Sequence, residues 1–309
     1  MSELHVVLGA GQIGNELVTQ LVAAGKPVRQ VRRQPGKARA GMTLLTGDLT
    51  DDGFAAEAGR GATVLYHCVN ARYDQWERML PRLNRGVLTA ATANQAPVVV
   101  LDNLYMYGAA EGPMTETSPI QPCSKKGELR ARLSAQLLAA HARGDVRLTM
   151  ARASDFFGPG VVNAVVFGER YFRRVLRGKA AEVVGDGNCL HSYSYGPDVA
   201  AAMIVLGARP EALGKVWHVP TPPPTSTTAL LVQMAAALKL PPKLTPLPDW
   251  VLRLLGVFSP IIAEVPEMTY QYKRPFILDD SHYRATFGGD HTPLPEALAA
   301  TAKWARATF

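Results

Sequence analysis

The run Gly9-Ala10-Gly11-Gln12-Ile13-Gly14 has the glycine spacing with which a chain wraps a phosphate. Gly9 permits a tight turn, Gly11 lets a pyrophosphate approach the backbone, and Gly14 allows the next helix to pack closely on the preceding strand. The N–H groups of that helix's first turn, at Gln12 and Ile13, then face the phosphates. About twenty residues further on, an NAD site places an acidic side chain for the ribose 2′-hydroxyl. This chain has Arg32 and Arg33 there, which suit a 2′-phosphate through charge-assisted hydrogen bonds. The reading is NADP rather than NAD. A second pair, Lys126 and Arg130, stands four residues apart, one turn along one face of a helix. A lysine can hand over a proton when burial or a neighbouring cation lowers its pKa. Arginine, with a pKa above ~12, cannot. Lys126 reads either as a proton donor or as a solvent-facing residue at a helix start.

The elements that position these residues follow from hydrophobic periodicity. Short apolar runs at 4–8, 28–31, 42–45, 62–66, 97–101 and 146–151 are expected strands, and 54–58, 75–95 and 128–142 are expected helices. Strands that alternate with helices imply right-handed crossovers and a parallel sheet. The fold class is therefore α/β, a doubly wound parallel sheet of Rossmann type with a smaller C-terminal substrate lobe. Residues 1–158 form the dinucleotide domain, completed by parts of 190–220; residues 159–189 and 221–309 form the lobe. Within the later part a helix is expected at 162–177, an extended piece at 182–184, a strand at 216–219 and a final helix at 294–308.

A chain of 309 residues with 47% apolar and 19% charged content can bury a full core. The net charge of +7 suits anionic ligands, but no basic run is interleaved with aromatics, so nucleic acid is not an expected partner. Cys68, Cys123 and Cys189 are far apart and read as free thiols of a reducing compartment. The histidines lack metal-ligand spacing, so no metal is expected. No apolar stretch approaches the ~18 residues of a membrane span, and no secretory leader precedes the first strand. The expectation is a cytoplasmic monomer or homodimer with a small-molecule substrate and no membrane partner.

With these residues in view, the chain resembles the extended short-chain dehydrogenase/reductases, the NAD-dependent epimerase/dehydratase group. Gly47-Asp48-Leu49-Thr50 resembles that family's GDL segment, which implies Asp48 and Leu49 near the adenine, and the stretch from Val64 to Asn70, with Val69, resembles its adenosine-side turn. Arg152 to Pro159 is similar to its R-x-x-x-x-Y/F-G-P segment, and Gly185-Asp186-Gly187-Asn188 with Pro197-Asp198-Val199-Ala200 to its late GDG…DDVA stretch. Met106-Tyr107-Gly108 matches its V-Y-G, which implies Asn103 at its Ser/Thr position.

The resemblance breaks at the proton donor. The family's Tyr-x-x-x-Lys is matched by Lys126 and Arg130, and no tyrosine occurs between Tyr107 and Tyr171. Arg130 is left to hold the ribose hydroxyls. The Asp and Glu of related dehydratases are matched by Leu104 and Tyr105, which argues against 4,6-dehydration. Tyr105 reads as a relocated proton donor or as an aromatic pocket lining. The expected activity is that of an NADP(H) oxidoreductase on a small carbonyl or activated alkene, with Asn103, Tyr105, Lys126 and Arg130 as catalytic candidates. A non-catalytic NADP-binding sensor and a nucleotide-sugar epimerase are the alternatives.

Overall fold

The computed structural model describes residues 3–309. Along the chain come β1 (His5–Leu8), α1 (Gln12–Ala23), β2 (Val28–Arg32), β3 (Met42–Thr46), α2 (Asp52–Ala58), β4 (Val64–His67), α3 (Trp76–Asn94), β5 (Val98–Asp102), α4 (Lys125–Ala142) and β6 (Leu148–Arg152). There follow β7 (Asp155–Phe157), α5 (Glu169–Val175), β8 (Ala181–Val184), β9 (Leu190–His191), β10 (Tyr193–Tyr195), α6 (Gly196–Ala208), β11 (Val216–His218) and β12 (Thr225–Ser226). The chain closes with α7 (Thr227–Ala237), β13 (Leu244–Leu247), α8 (Asp249–Gly256), α9 (Pro260–Ala263), α10 (Ser281–Phe287) and α11 (Leu294–Thr308).

Packing divides this into two units. The first holds the chain up to Asn103, Leu129–Arg152 and Val199–Val219; the second holds Leu104–Glu128, Ala153–Asp198 and Pro220–Phe309. The segment Leu104–Glu128 therefore packs with the second unit.

Seven parallel strands form the first unit's sheet, in the order β11-β6-β5-β4-β1-β2-β3. Its central strands are near-continuous apolar runs such as Val98-Val99-Val100 because both faces are covered. Val6, Leu8, Leu65, Val98 and Val100 are buried in one cluster with Ala55, Val87, Ala90 and Leu137. The order reverses between β1 and β4, where Leu8 pairs with His67. Open sheets of this kind take ligands outside the strand ends at such a reversal, and the glycine run follows β1 there.

The second unit has its own core, with Phe157, Phe167, Phe172, Leu230, Met234 and Leu298. Its strands pair only in twos, β10 with β7, β12 with β9 and β13 with β8. The expected helix 162–177 is here only Glu169–Val175. Gly168 enters α5 in extended conformation, where a Cβ would lie 2.3 Å from the Ala164 carbonyl oxygen and 2.8 Å from that of Val162. The backbone folds back on itself before the helix starts, and the apolar periodicity of 162–168 serves that turn instead.

One glycine in the first unit has no freedom to change. A Cβ on Gly86 of α3 would stand 1.7 Å from the Leu49 carbonyl oxygen, so Gly86→Ala must push α3 off the β3–α2 connection. Overpacking of this kind should cost about 2–3 kcal/mol, seen as a lower urea midpoint at unchanged slope. An unaltered midpoint would mean that α3 does not lie against Leu49.

Candidate active site

The turn after β1 is closed by backbone contact. Gly9 has φ +121°, and a Cβ there would lie 2.8 Å from the Cys68 carbonyl carbon at the end of β4. A Cβ on Gly14 would lie 2.5 Å from the Gly9 carbonyl oxygen. Both glycines are required by the protein's own packing. Gly11 differs, since a Cβ there would meet nothing within 4 Å and its φ is −78°. No steric demand of the fold explains that glycine, but a phosphate lying on the backbone does. Gly11 is also the N-cap of α1, with no side-chain cap and no acidic residue in the first turn, so the helix's positive end is left for an anion. These features fit a dinucleotide pyrophosphate, with Gly9, Gly11, Gln12, Ile13 and Gly14 as its cradle.

The residues expected on the adenosine side stand on the next elements. Arg32 ends β2 and is half-buried, and Arg33 follows it, exposed. The Arg32 guanidinium lies over Gly36, where a Cβ would meet its Nη1 at 2.3 Å. Arg29 is different: its Nη1 donates to the Ala58 and Arg60 carbonyls at 3.3 and 2.7 Å, a structural role. Exposed Asp48 accepts from the Thr50 N–H at 2.9 Å. That bond, with a smaller pull from Arg33 and Arg82, holds its pKa below the ordinary value. Leu49 is buried and Val69 half-buried.

Asp102 ends β5 as a buried carboxylate. Its Oδ2 lies 3.4 Å from Arg152 Nε and its Oδ1 3.6 Å from Arg130 Nη1. Arg152, also buried, donates to Ser134 Oγ at 2.8 Å, and the Arg130 guanidinium stacks 4.3 Å from the Trp76 ring. Arg130 thus sits in a built charge centre at the strand ends. Beside it His67 is buried, with its Nε2 3.0 Å from Asn84 Oδ1. Burial first, and the Arg130 charge with it, depress its pKa to about 4.

Lys126 is buried, not solvent-facing. Its ammonium pairs with Glu264, and with Glu267 at 3.1 Å, while Glu267 also accepts from the Lys125 N–H at 3.0 Å. Asn103 follows β5, half-buried, and Tyr105, also half-buried, opens a short 3-10 turn. The first turn of α4 reaches that tyrosine because residue 127 is glycine: a Cβ there would be 2.6 Å from the Tyr105 carbonyl oxygen.

The second unit holds a further buried polar group, outside the expected site residues. Asp155 Oδ2 accepts from the Tyr272 hydroxyl and lies 3.2 Å from His191 Nε2. The His191 ring stacks on Tyr272 at 5.0 Å, and its Nδ1 is 3.2 Å from the Gln271 carbonyl oxygen. Burial alone would raise the Asp155 pKa, but the His191 and Tyr272 contacts outweigh it and hold it low. Desolvation pushes the Tyr270 and Tyr272 hydroxyls well above their ordinary range, and both feel Tyr105 as well as Asp155. Among the described residues, no three His, Cys, Asp or Glu side chains cluster as a metal site, and no helix is long and apolar enough to cross a membrane.

The sheet and its glycine turn define a Rossmann-type dinucleotide fold. The chain belongs to the NAD dependent epimerase/dehydratase family, whose model matches residues 5–219. No curated protein gives a significant sequence match. Similar solved structures include the dTDP-glucose 4,6-dehydratase of Streptomyces venezuelae with NAD bound, as a double mutant, at 19% identity and TM-score 0.82, covering 99% of this chain and 97% of that one. The UDP-glucuronic acid 4-epimerase of Bacillus cereus, with UDP-glucuronic acid and NAD, is 15% identical at TM-score 0.82, covering 99% and 100%. The enzyme WbmH of Bordetella bronchiseptica, with NAD+, is 18% identical at TM-score 0.77, covering 100% and 99%. At these identities the likeness is one of fold.

Two outcomes are expected. Gly11→Ala should leave thermal stability nearly unchanged yet weaken dinucleotide binding by at least about tenfold, since the methyl enters only the phosphate's space; titration calorimetry beside a melting curve separates the two. Equal affinity in the variant would exclude this turn as the cradle. His67, neutral and buried, binds its proton more weakly folded than unfolded, so its contribution to stability is full above the unfolded pKa of about 6.5. It is lost as pH falls from there towards 4, by about 3 kcal/mol in total. His67→Gln should flatten the stability slope in that window, and an unchanged slope would contradict the assignment.

Proposed function

We propose that the chain is an oxidoreductase that binds NADP(H) and moves hydride at a carbonyl- or hydroxyl-bearing carbon of a small substrate, an activated alkene being a further substrate class. The observation that carries the reading is the occupation of the family's proton-donor position by Lys126, whose ammonium is committed to Glu264 and Glu267. In this reading the proton is carried by Tyr105, which Gly127 allows to lie against the first turn of α4. Asn103 orients the substrate oxygen. Arg130, braced by Asp102 and Trp76, binds the ribose.

When bound, the nicotinamide supplies or accepts the hydride; the protein's part is to hold the dinucleotide and to move the proton. Gly9, Gly11, Gln12, Ile13 and Gly14 hold the pyrophosphate, Asp48, Leu49 and Val69 line the adenosine side, and Arg32 with Arg33 takes the 2′-phosphate. The preference for NADP rests on those two arginines and on the lack of a carboxylate at the end of β2. The similar structures reported above contain NAD, which makes the choice of dinucleotide a direct test.

A second reading, nucleotide-sugar epimerisation, is favoured by the family match over residues 5–219 more than a net reductase is. It uses the same hydride step out and back, with no net change in the dinucleotide. Tyr105 would then serve as base and acid in turn.

NADPH consumption over aldehydes, ketones, enones and quinones, run beside NMR of UDP-glucose and UDP-glucuronic acid, separates the readings. Net oxidation supports the first, and a new sugar configuration without it supports the second. In either case Tyr105→Phe should lower kcat by about a hundredfold or more with dinucleotide affinity unchanged; unaltered kcat would remove Tyr105 from the chemistry. Arg32→Ala with Arg33→Ala should weaken NADPH by about 10–100-fold and leave NADH nearly untouched. Equal losses for both would overturn the 2′-phosphate reading. Tight NADPH binding without turnover in either assay would identify a binding protein.

A further inference from the structure

The second unit carries apolar surface of a kind that a water-facing protein does not need. Among the described residues, nine large apolar side chains are exposed, and five of them fall within twelve positions: Trp250, Leu254, Val257, Phe258 and Ile261. Scattered exposed apolar residues are ordinary, but a contiguous set marks an interaction surface. Trp250, Leu254 and Val257 repeat at i, i+4 and i+7, so they share one face of α8 and its C-terminal extension. The opposite side is already used, since Leu252 is buried in the cluster that Leu247, Ile262 and Val265 flank. The helix is therefore apolar on two faces and packs with one.

The corner between α8 and α9 is tight. A Cβ on Gly256 would stand 2.9 Å from the Ala263 Cα, and the N–H groups of Val257, Phe258 and Ser259 each bond three residues back. Val257 and Phe258 are 77% and 82% exposed at this corner. Ser259 then caps α9 through the Ile262 N–H at 3.5 Å. The result is an apolar tip with a tryptophan behind it, the arrangement of a helix that lies in a membrane interface.

Charge decides between a lipid surface and a second copy of the chain. The three carboxylates between Lys239 and Arg274 are all engaged, Asp249 by Lys273 and both Glu264 and Glu267 by Lys126. Among the described residues, Arg253 has no carboxylate partner, and it lies exposed on α8 itself, beside the apolar stripe. Two such surfaces brought face to face would set like charges together. An anionic headgroup layer would match them, and the chain's net charge of +7 acts in the same sense.

We propose that the α8–α9 corner docks the protein on anionic lipid, with Val257, Phe258 and Trp250 entering the interface and Arg253 at the headgroups. Such attachment needs no spanning segment, so it goes beyond the expectation of no membrane partner, which rested on span length. It is independent of the proposed reaction.

The test is co-sedimentation of the full chain with phosphatidylcholine vesicles, with and without a third of phosphatidylglycerol. Binding is expected to the anionic vesicles, with at least a tenfold weaker partition on neutral ones or at high salt. Val257→Ser with Phe258→Ser should reduce partition at least tenfold with an unchanged melting temperature, because both side chains are exposed. A vesicle-induced blue shift in tryptophan emission should vanish in Trp250→Phe. No binding to anionic vesicles, or equal binding by the double variant, would overturn the proposal. So would sedimentation equilibrium showing a dimer that the double variant dissolves, since the occupant would then be a second copy.

Discussion

The functional architecture depends on one close approach, that of the turn after β1 to the end of β4. Gly9 meets the Cys68 backbone and Gly14 meets the Gly9 carbonyl at distances no side chain could share. This contact closes the reversal in strand order and aims α1 at the space above it. Once α1 is so aimed, its uncapped N-terminus becomes the natural place for negative charge. Gly11 then stands out as the glycine in this run that packing does not require.

A second constraint explains the changed residues of α4. Asp102 is buried at the end of β5 and needs compensating charge. Arg152 supplies part of it, and Arg130 reaches the other carboxylate oxygen while stacking on Trp76. A guanidinium is planar and many-pronged, so it can do both, whereas a lysine in its place would act as a point charge. Lys126 belongs to a different balance, that of Glu264 and Glu267. The two residues share a helix but answer to separate groups of charges, and neither is a tyrosine lysine pair in another form.

The sheet was legible because its central strands β1, β4 and β5 are buried and read as near-continuous apolar runs; all seven strands of the sheet fall within a few residues of their expected limits. The glycine run was legible because its demands are local. The helix expected at 162–177 was misjudged, because the fold-back at Gly168 depends on carbonyls that periodicity does not register. The partners of the site were hidden for a related reason. Lys126 meets Glu264 across 138 positions and Asp155 meets Tyr272 across 117, and no spacing rule spans such distances. An aspartate closing an apolar strand, as Asp102 does, was the one available signal of a buried charge centre.

Together these constraints point to a phosphate cradle kept beside replaced residues of proton transfer. A crystal structure of the protein grown with NADPH tests it most directly. The pyrophosphate is expected on the backbone at Gly11, Gln12 and Ile13, with the 2′-phosphate against Arg32 and Arg33. A dinucleotide bound elsewhere, or one whose 2′-phosphate points away from both arginines, would contradict it.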